Sequence, residues 1–246
     1  LLKFTRISEF GVDVPATIFS VLAIFYFLSF FETENDIEKR EFFYLNFIFS
    51  IFSILIKLST IPVIILTIYL FFFNFKKFRF VIFELKFLVI YFLCFVFFIQ
   101  QFIYTGCFFF LTNLTCLKVS WFNFDHLNLS KELELVNKSY SVAKDIFLPE
   151  EYLNNFNWFI FWIKRNFIEI IENLLTLIFP ILILLLFLER AKTKHNLFNK
   201  KLLLAIFVLF SLIFWLNFSP VFRFGIHIFI TLVFLIFISF LDKRKF

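Results

Sequence analysis

FFYLNFIFSIFSILIKLSTIPVIILTIYLFFF, residues 42–73, is nearly all apolar, and the number of times it turns decides the fold. As one helix its thirty-two residues would be about 48 Å long at 1.5 Å per residue. That is well beyond the ~30 Å hydrocarbon core of a bilayer. Its middle is KLSTIP (57–62), a charge, two hydroxyls and a proline. Pro62 removes a backbone donor and disfavours the helical conformation at Ile61. The stretch therefore splits into two short helices, about 42–57 and 61–74, joined by a tight turn.

The rest of the chain has the same character. Of 246 residues 62% are hydrophobic, and the mean hydropathy is +0.94; soluble domains run to about 45–50% apolar. Several windows exceed the ~18 apolar residues that mark a span. Further spans fall at about 14–31, 84–104, 167–188, 202–217 and 225–241. The expected fold is all-α, a polytopic membrane helix bundle of about seven membrane helices, two of them the short hairpin, with one extracytoplasmic helical and loop segment. The chain divides into N-terminal membrane helices at 1–104, an extracytoplasmic segment at 105–165 and a C-terminal three-helix membrane region at 166–246. There is no Met, even at position 1, and the chain is expected to be the C-terminal part of a longer protein.

Phe is unusually common, 49 residues against 3 Gly and 5 Pro. Phe, Ile, Leu, Lys, Asn and Tyr have AT-rich codons, so the bias points to an AT-rich genome that filled lipid-facing positions with Phe. The surviving Gly, Pro and Arg are then the informative residues. The net charge of +6 reflects Lys- and Arg-rich loops, and nothing suggests nucleic-acid binding.

Residues 74–80, 189–201 and the tail DKRKF are densely basic, which places all three in the cytoplasm. Residues 105–165 and 217–225 are then outside. If 42–74 crosses twice, its turn and residues 6–13 are also outside; if it crosses once, 6–13 are inside. The acidic linker 32–41 mildly favours one crossing. Two crossings put every unusual polar motif on one face, and that version is preferred.

Arg6, Glu9 and Asp13 lie at i, i+3 and i+7 on one helical face. Arg binds phosphate through a bidentate fork, and carboxylates suit sugar hydroxyls or a metal. The alternative is a solvated helix start, with Asp13 capping ahead of Pro15. Lys57 is an ionisable group among apolar helices, which by default suggests function: it pairs with Asp13 or Glu9 or binds the lipid pyrophosphate, or else it snorkels to the interface. Arg223, bracketed by Pro220 and Gly225 in a nine-residue outer turn, points to a lipid phosphate or to headgroups, with His227 one turn on. Trp121 either stacks on a sugar ring or anchors at the interface. Cys107 and Cys116 are nine apart in a compartment that permits disulfides, and a bridge is expected. KELELVNKSYSVAKD (131–145) sets Leu133, Val136, Tyr140 and Ala143 at the spacing of one amphipathic helix face. Pro149 with two Glu starts a further helix running to Trp158 and Trp162.

RISEFGVD (6–13), IKLSTIP (56–62), GCFFFLTNLTC (106–116) followed by Trp121, and NFSPVFRFG (217–225) together resemble a family of bacterial multi-span membrane proteins linked to surface-polysaccharide synthesis. That family is similar to GT-C type integral-membrane glycosyltransferases. The resemblance runs through most of the chain and rests on the order and spacing of the motifs. CFFFLTN departs from it where a proline is expected. The resemblance implies sugar transfer from a polyprenyl-phosphate donor at the bacterial inner membrane, with residues 105–165 periplasmic and the C-terminus cytoplasmic. Arg6, Glu9, Asp13, Lys57, Arg223 and His227 would contact substrate. The catalytic acid of such enzymes sits in an early extracytoplasmic loop with no counterpart motif here, so no catalytic residue is assigned. No cofactor is identified, a divalent metal is compatible, and no protein metal site stands out. The competing functions are an O-antigen-type polymerase, a transporter or flippase without chemistry, and an organelle-encoded complex subunit.

Overall fold

The computed structural model describes residues 11–79, 81–108, 115–117, 119–121, 126–187, 197–218 and 220–243. These are helical, with no β-strand among them beyond a single bridge between Cys107 and Cys116. The α-helices are α1 (Asp13–Phe30), α2 (Asp36–Ile56), α3 (Ile64–Phe73), α4 (Phe75–Phe78), α5 (Leu85–Thr105), α6 (His126–Asn137), α7 (Pro149–Leu153), α8 (Asn157–Phe187), α9 (Leu197–Phe218) and α10 (Phe222–Lys243). Two of them, α1 and α5, are long and apolar enough to cross a membrane; shorter apolar helical runs occupy 58–73, 202–218 and 222–236.

The chain forms two compact units, one of residues 1–70 with 163–246 and one of residues 71–162. The expected division at 104 and 165 followed sidedness, whereas this one follows packing.

In the first unit α1 and α2 are antiparallel. The Ser20 and Ser53 hydroxyls lie 2.6 Å apart, each within hydrogen-bonding reach of the Ala16 carbonyl at 2.9 and 3.1 Å, so one donates to that carbonyl while the other donates to its partner serine. Nearer the other end Asn46 Nδ2 donates to the Ala23 carbonyl at 2.7 Å, and the Tyr26 and Phe49 rings stack at 5.6 Å. Small residues at 16, 20 and 23 let the two backbones approach closely. α2 starts earlier than its apolar run. Asn35 caps it by accepting from the Ile37 N–H at 3.0 Å, and Asp36 and Glu38 complement the positive end of the helix.

The chain reverses at Lys57. That residue caps α2 in an extended conformation (φ −152°, ψ 114°), and a 3-10 turn follows at Leu58–Val63. Thr60 satisfies the Lys57 carbonyl twice, from its N–H at 3.1 Å and its hydroxyl at 2.8 Å. Pro62 has no N–H to offer the Leu58 carbonyl, and its ring would crowd that carbonyl in a continuous helix. α3 then runs back along α2. Thr67 donates to Asn46 Oδ1 at 2.7 Å and bonds Ser50 Oγ at 3.0 Å, while Tyr69 meets the rings of Phe27 and Phe31. The 3-10 turn packs against α1, α2, α9 and α10, and α10 also packs on α1 and α9.

The second unit departs from the sequence pattern in two places. α6 stops at Asn137, and Ser139 adopts a left-handed conformation (φ 64°). Tyr140 and Ala143 therefore do not continue the face of Leu133 and Val136. Instead Tyr152 donates to the Lys138 carbonyl at 2.6 Å, and buried Lys138 bonds Glu134 at 2.5 Å beneath the Trp158 ring. The helix begun at Pro149 likewise ends at Leu153. A 3-10 turn at Asn154–Phe156 separates it from α8, with Phe156 at φ 58°. α5 exposes Leu88, Phe92, Phe95, Val96 and Ile99, an apolar surface unusual in a water-soluble domain.

Asn46→Ala removes one of the hydrogen bonds from α2 to each of its neighbours. We expect it to lower the unfolding free energy in detergent by about 1–2 kcal/mol. Unchanged stability would contradict the seam as drawn.

Candidate functional site

Asp13 opens α1 but does not cap it. The cap position is Val12, which makes no side-chain bond, and the Asp13 carboxylate is buried. It is held by the Lys57 ammonium, 44 residues away. The Lys57 side chain is thus largely buried, with a carboxylate as its partner. Its position follows from the chain reversal, which delivers the end of α2 to the start of α1. Arg223 completes the cluster, with Nε 3.6 Å from Asp13 Oδ2. The Phe224 ring closes one side, 3.6 Å from Lys57 Nζ and 5.0 Å from the Arg223 guanidinium carbon.

The electrostatics are asymmetric. Asp13 at the start of α1 and Lys57 at the end of α2 each sit where the helix dipole favours their charge. Arg223 sits in the first turn of α10, where the dipole is already positive. Two cations surround one carboxylate, and the Arg223 side chain is 51% exposed against 8% for Asp13 and 13% for Lys57. The cluster has a buried, neutral half and an accessible cationic arm. Its unspent capacity is for an anion, and Arg223 supplies the geometry for phosphate. Asp13, shared by both cations, is not a free base.

The turn expected over nine residues at 217–225 is much shorter. Only positions 219–221 separate α9 from α10, and Arg223 is inside the helix. The reason is Trp215, whose Nε1 donates to the Val221 carbonyl at 2.8 Å and folds the turn over itself. Gly225 makes this feasible, because a Cβ there would lie 3.0 Å from Trp215 Nε1 and 3.3 Å from Phe229. Trp215 and Gly225 stand five residues either side of Pro220, the sequence signal that could have found the pairing. Phe224 carried no signal, being one of 49 phenylalanines. His227, one turn past Arg223, is 1% exposed, lies within electrostatic reach of Lys57, and has no hydrogen-bond partner at Nε2.

The structure thus brings Asp13, Lys57 and Arg223 together, with His227 within electrostatic reach of Lys57. Arg6 and Glu9 lie outside the described residues. The remaining candidates belong to the second unit. There Cys107 and Cys116 form a disulfide, and left-handed Gly106 (φ 71°) ends α5. Trp121 donates to the Ile103 carbonyl at 3.1 Å and meets Phe102 edge-on, leaving its ring 61% exposed. No group of three or more His, Cys, Asp or Glu residues among those described could hold a metal ion.

Breaking the buried pair from one side strands a charge. Lys57→Met should cost about 3–5 kcal/mol of unfolding free energy in detergent, and Lys57→Met with Asp13→Leu should recover most of it. Additive losses in the double variant would contradict the pairing.

No curated protein and no solved structure matches the chain. A family model does match, over residues 1–230, most of the sequence. The chain belongs to the family described as Domain of unknown function (DUF8201).

Proposed function

We propose that the chain is a polytopic integral-membrane protein of about seven spans. Its Asp13–Lys57–Arg223 cluster binds the phosphate of a polyprenyl-phosphate-linked sugar during cell-surface polysaccharide assembly, as in a GT-C-like glycosyltransferase. One observation carries the binding reading: two cations and one carboxylate, from helix ends up to 210 positions apart (223 − 13), converge at one end of one unit. The membrane reading is supported by the apolar lengths of α1 and α5 and by the exposed Leu, Phe and Val side chains of α5.

In this proposal the cluster faces the periplasm with residues 105–165, and the linker 32–41, the basic stretch 189–201 and the C-terminus face the cytoplasm of a bacterial inner membrane. Arg223 grips a phosphate oxygen. Asp13 and Lys57 together are neutral and hold Arg223 in place, so Arg223 supplies the net positive charge where a phosphate leaving group would gain charge, the kind of preorganised stabilisation that dominates group transfer. The carboxylate that would drive the chemistry is not assigned to this chain. An O-antigen-type polymerase would handle the same lipid-linked class. A flippase is less well supported, because the ion pair sits at helix ends rather than halfway along a span.

Two measurements test the proposal. With Cys94→Ser as background, a thiol probe confined to the periplasm should label Ser8→Cys and miss Asn35→Cys; the reverse pattern overturns the topology. In nanodiscs the full chain should bind dodecyl phosphate, and Arg223→Gln should weaken that binding about tenfold, the worth of one charge-assisted hydrogen bond. Absence of binding by the unmodified chain overturns the phosphate site.

A further inference from the structure

We infer that a hydroxyl-binding subsite lies behind the cationic mouth, built from His227 Nε2, Ser211 Oγ and Ser59 Oγ, and that the site as a whole takes a phosphate ester of a polyol. The inference rests on the phosphate-binding reading above and adds what lies beyond the phosphate.

Buried polar atoms in folded proteins are nearly always hydrogen-bonded, and each exception calls for an explanation. Among the described residues four buried side-chain polar atoms make no hydrogen bond: Ser59 Oγ, Asn74 Nδ2, Ser211 Oγ and His227 Nε2. Three of the four sit on three elements that pack against one another, the 3-10 turn, α9 and α10. The seam between α1, α2 and α3 is just as polar, yet Ser20, Asn46, Ser50, Ser53 and Thr67 are all bonded there. The orphaned atoms are therefore a local feature of one corner of the unit and not a general looseness of its packing.

Their placement matches the cluster. Ser59 is two residues beyond Lys57, and His227 is one helical turn beyond Arg223. Ser211 lies on the buried face of α9, one turn from Trp215, which packs on Phe229. Exposure falls from 51% at Arg223 to 13% at Lys57, 1% at His227 and 0% at Ser211. Charge falls the same way, from cationic at the mouth to neutral inside. Two serine hydroxyls and an imidazole offer donors and acceptors without net charge in the neutral form. They suit ligand hydroxyls, while the outer cations suit an oxyanion. A ligand matching both zones presents a phosphate outward and hydroxyl groups inward.

A lipid-linked glycosyl phosphate, a phosphatidylglycerol headgroup and a soluble sugar phosphate all share that chemistry. The test uses the full chain in nanodiscs with dodecyl phosphate, glucosyl dodecyl phosphate, glucose 1-phosphate and phosphatidylglycerol as probes. We expect the glucosyl ester to bind about tenfold more tightly than dodecyl phosphate. Ser211→Ala and His227→Phe should erase that advantage while leaving dodecyl phosphate binding within about twofold. Ser211→Ala removes a single oxygen, so it serves if His227→Phe does not fold. If dodecyl phosphate fails to bind, the phosphate site itself is wrong. If it binds but the sugar adds nothing, or the advantage survives both substitutions, the subsite is wrong and the phosphate site stands. Tight binding of glucose 1-phosphate alone supports the subsite with a soluble ligand. Competition by phosphatidylglycerol as strong as that of the glucosyl ester supports it with a bilayer lipid as the source.

Discussion

The buried pair between Asp13 and Lys57 holds the start of one helix to the end of the next, and the first unit is arranged around it. Neither partner could be buried alone, because an isolated charge in a low-dielectric interior is strongly disfavoured. Paired at the ends of antiparallel helices, each also meets a helix dipole of the favourable sign. The reversal at Lys57 is what permits this. Pro62 prevents the helix from continuing, and Thr60 satisfies the carbonyl that the break exposes. The 3-10 turn so formed becomes the element against which α1, α2, α9 and α10 all pack.

Packing specificity in such a Phe-rich chain comes from elsewhere than its phenylalanines. In the proposed membrane setting lipid tails solvate Phe about as well as a neighbouring helix does, so apolar burial drives little association. The Ser20–Ser53 and Asn46–Thr67–Ser50 contacts supply direction instead. They fix the registers of α1 on α2 and of α3 on α2, since a hydrogen bond is lost if either helix slides by a turn. Trp215 plays the same part between α9 and α10, through one hydrogen bond that a side chain at position 225 would crowd.

The cluster's chemistry follows from its imbalance. One carboxylate neutralises one buried ammonium, and an exposed guanidinium is left at the positive end of a helix. Had Asp13 been a cap, its charge would have been spent on backbone N–H groups and Lys57 would have needed another partner. Asp13, buried and shared by Lys57 and Arg223, is the residue that positions the two cations.

Much of this was legible in the sequence. The helical class, the apolar stretches, the break at KLSTIP and the prominence of Asp13, Lys57 and Arg223 follow from local rules, because hydropathy and proline act on the residues that carry them. The ends of the elements were less legible. Asn35, Ser139 and Trp215 set them through caps, a left-handed residue and a long-range bond, and composition does not reveal those. A pairing of Lys57 with Asp13 was one of the readings the sequence offered; that Lys57 takes Asp13 and that Arg223 joins the pair was decided only by the tertiary structure. Asp13, Lys57, Arg223 and Phe224 share no local pattern, and they come together because three helix ends reach one place. The unpartnered state of His227 is likewise a property of its surroundings, since a histidine in sequence carries no record of what lies opposite its ring.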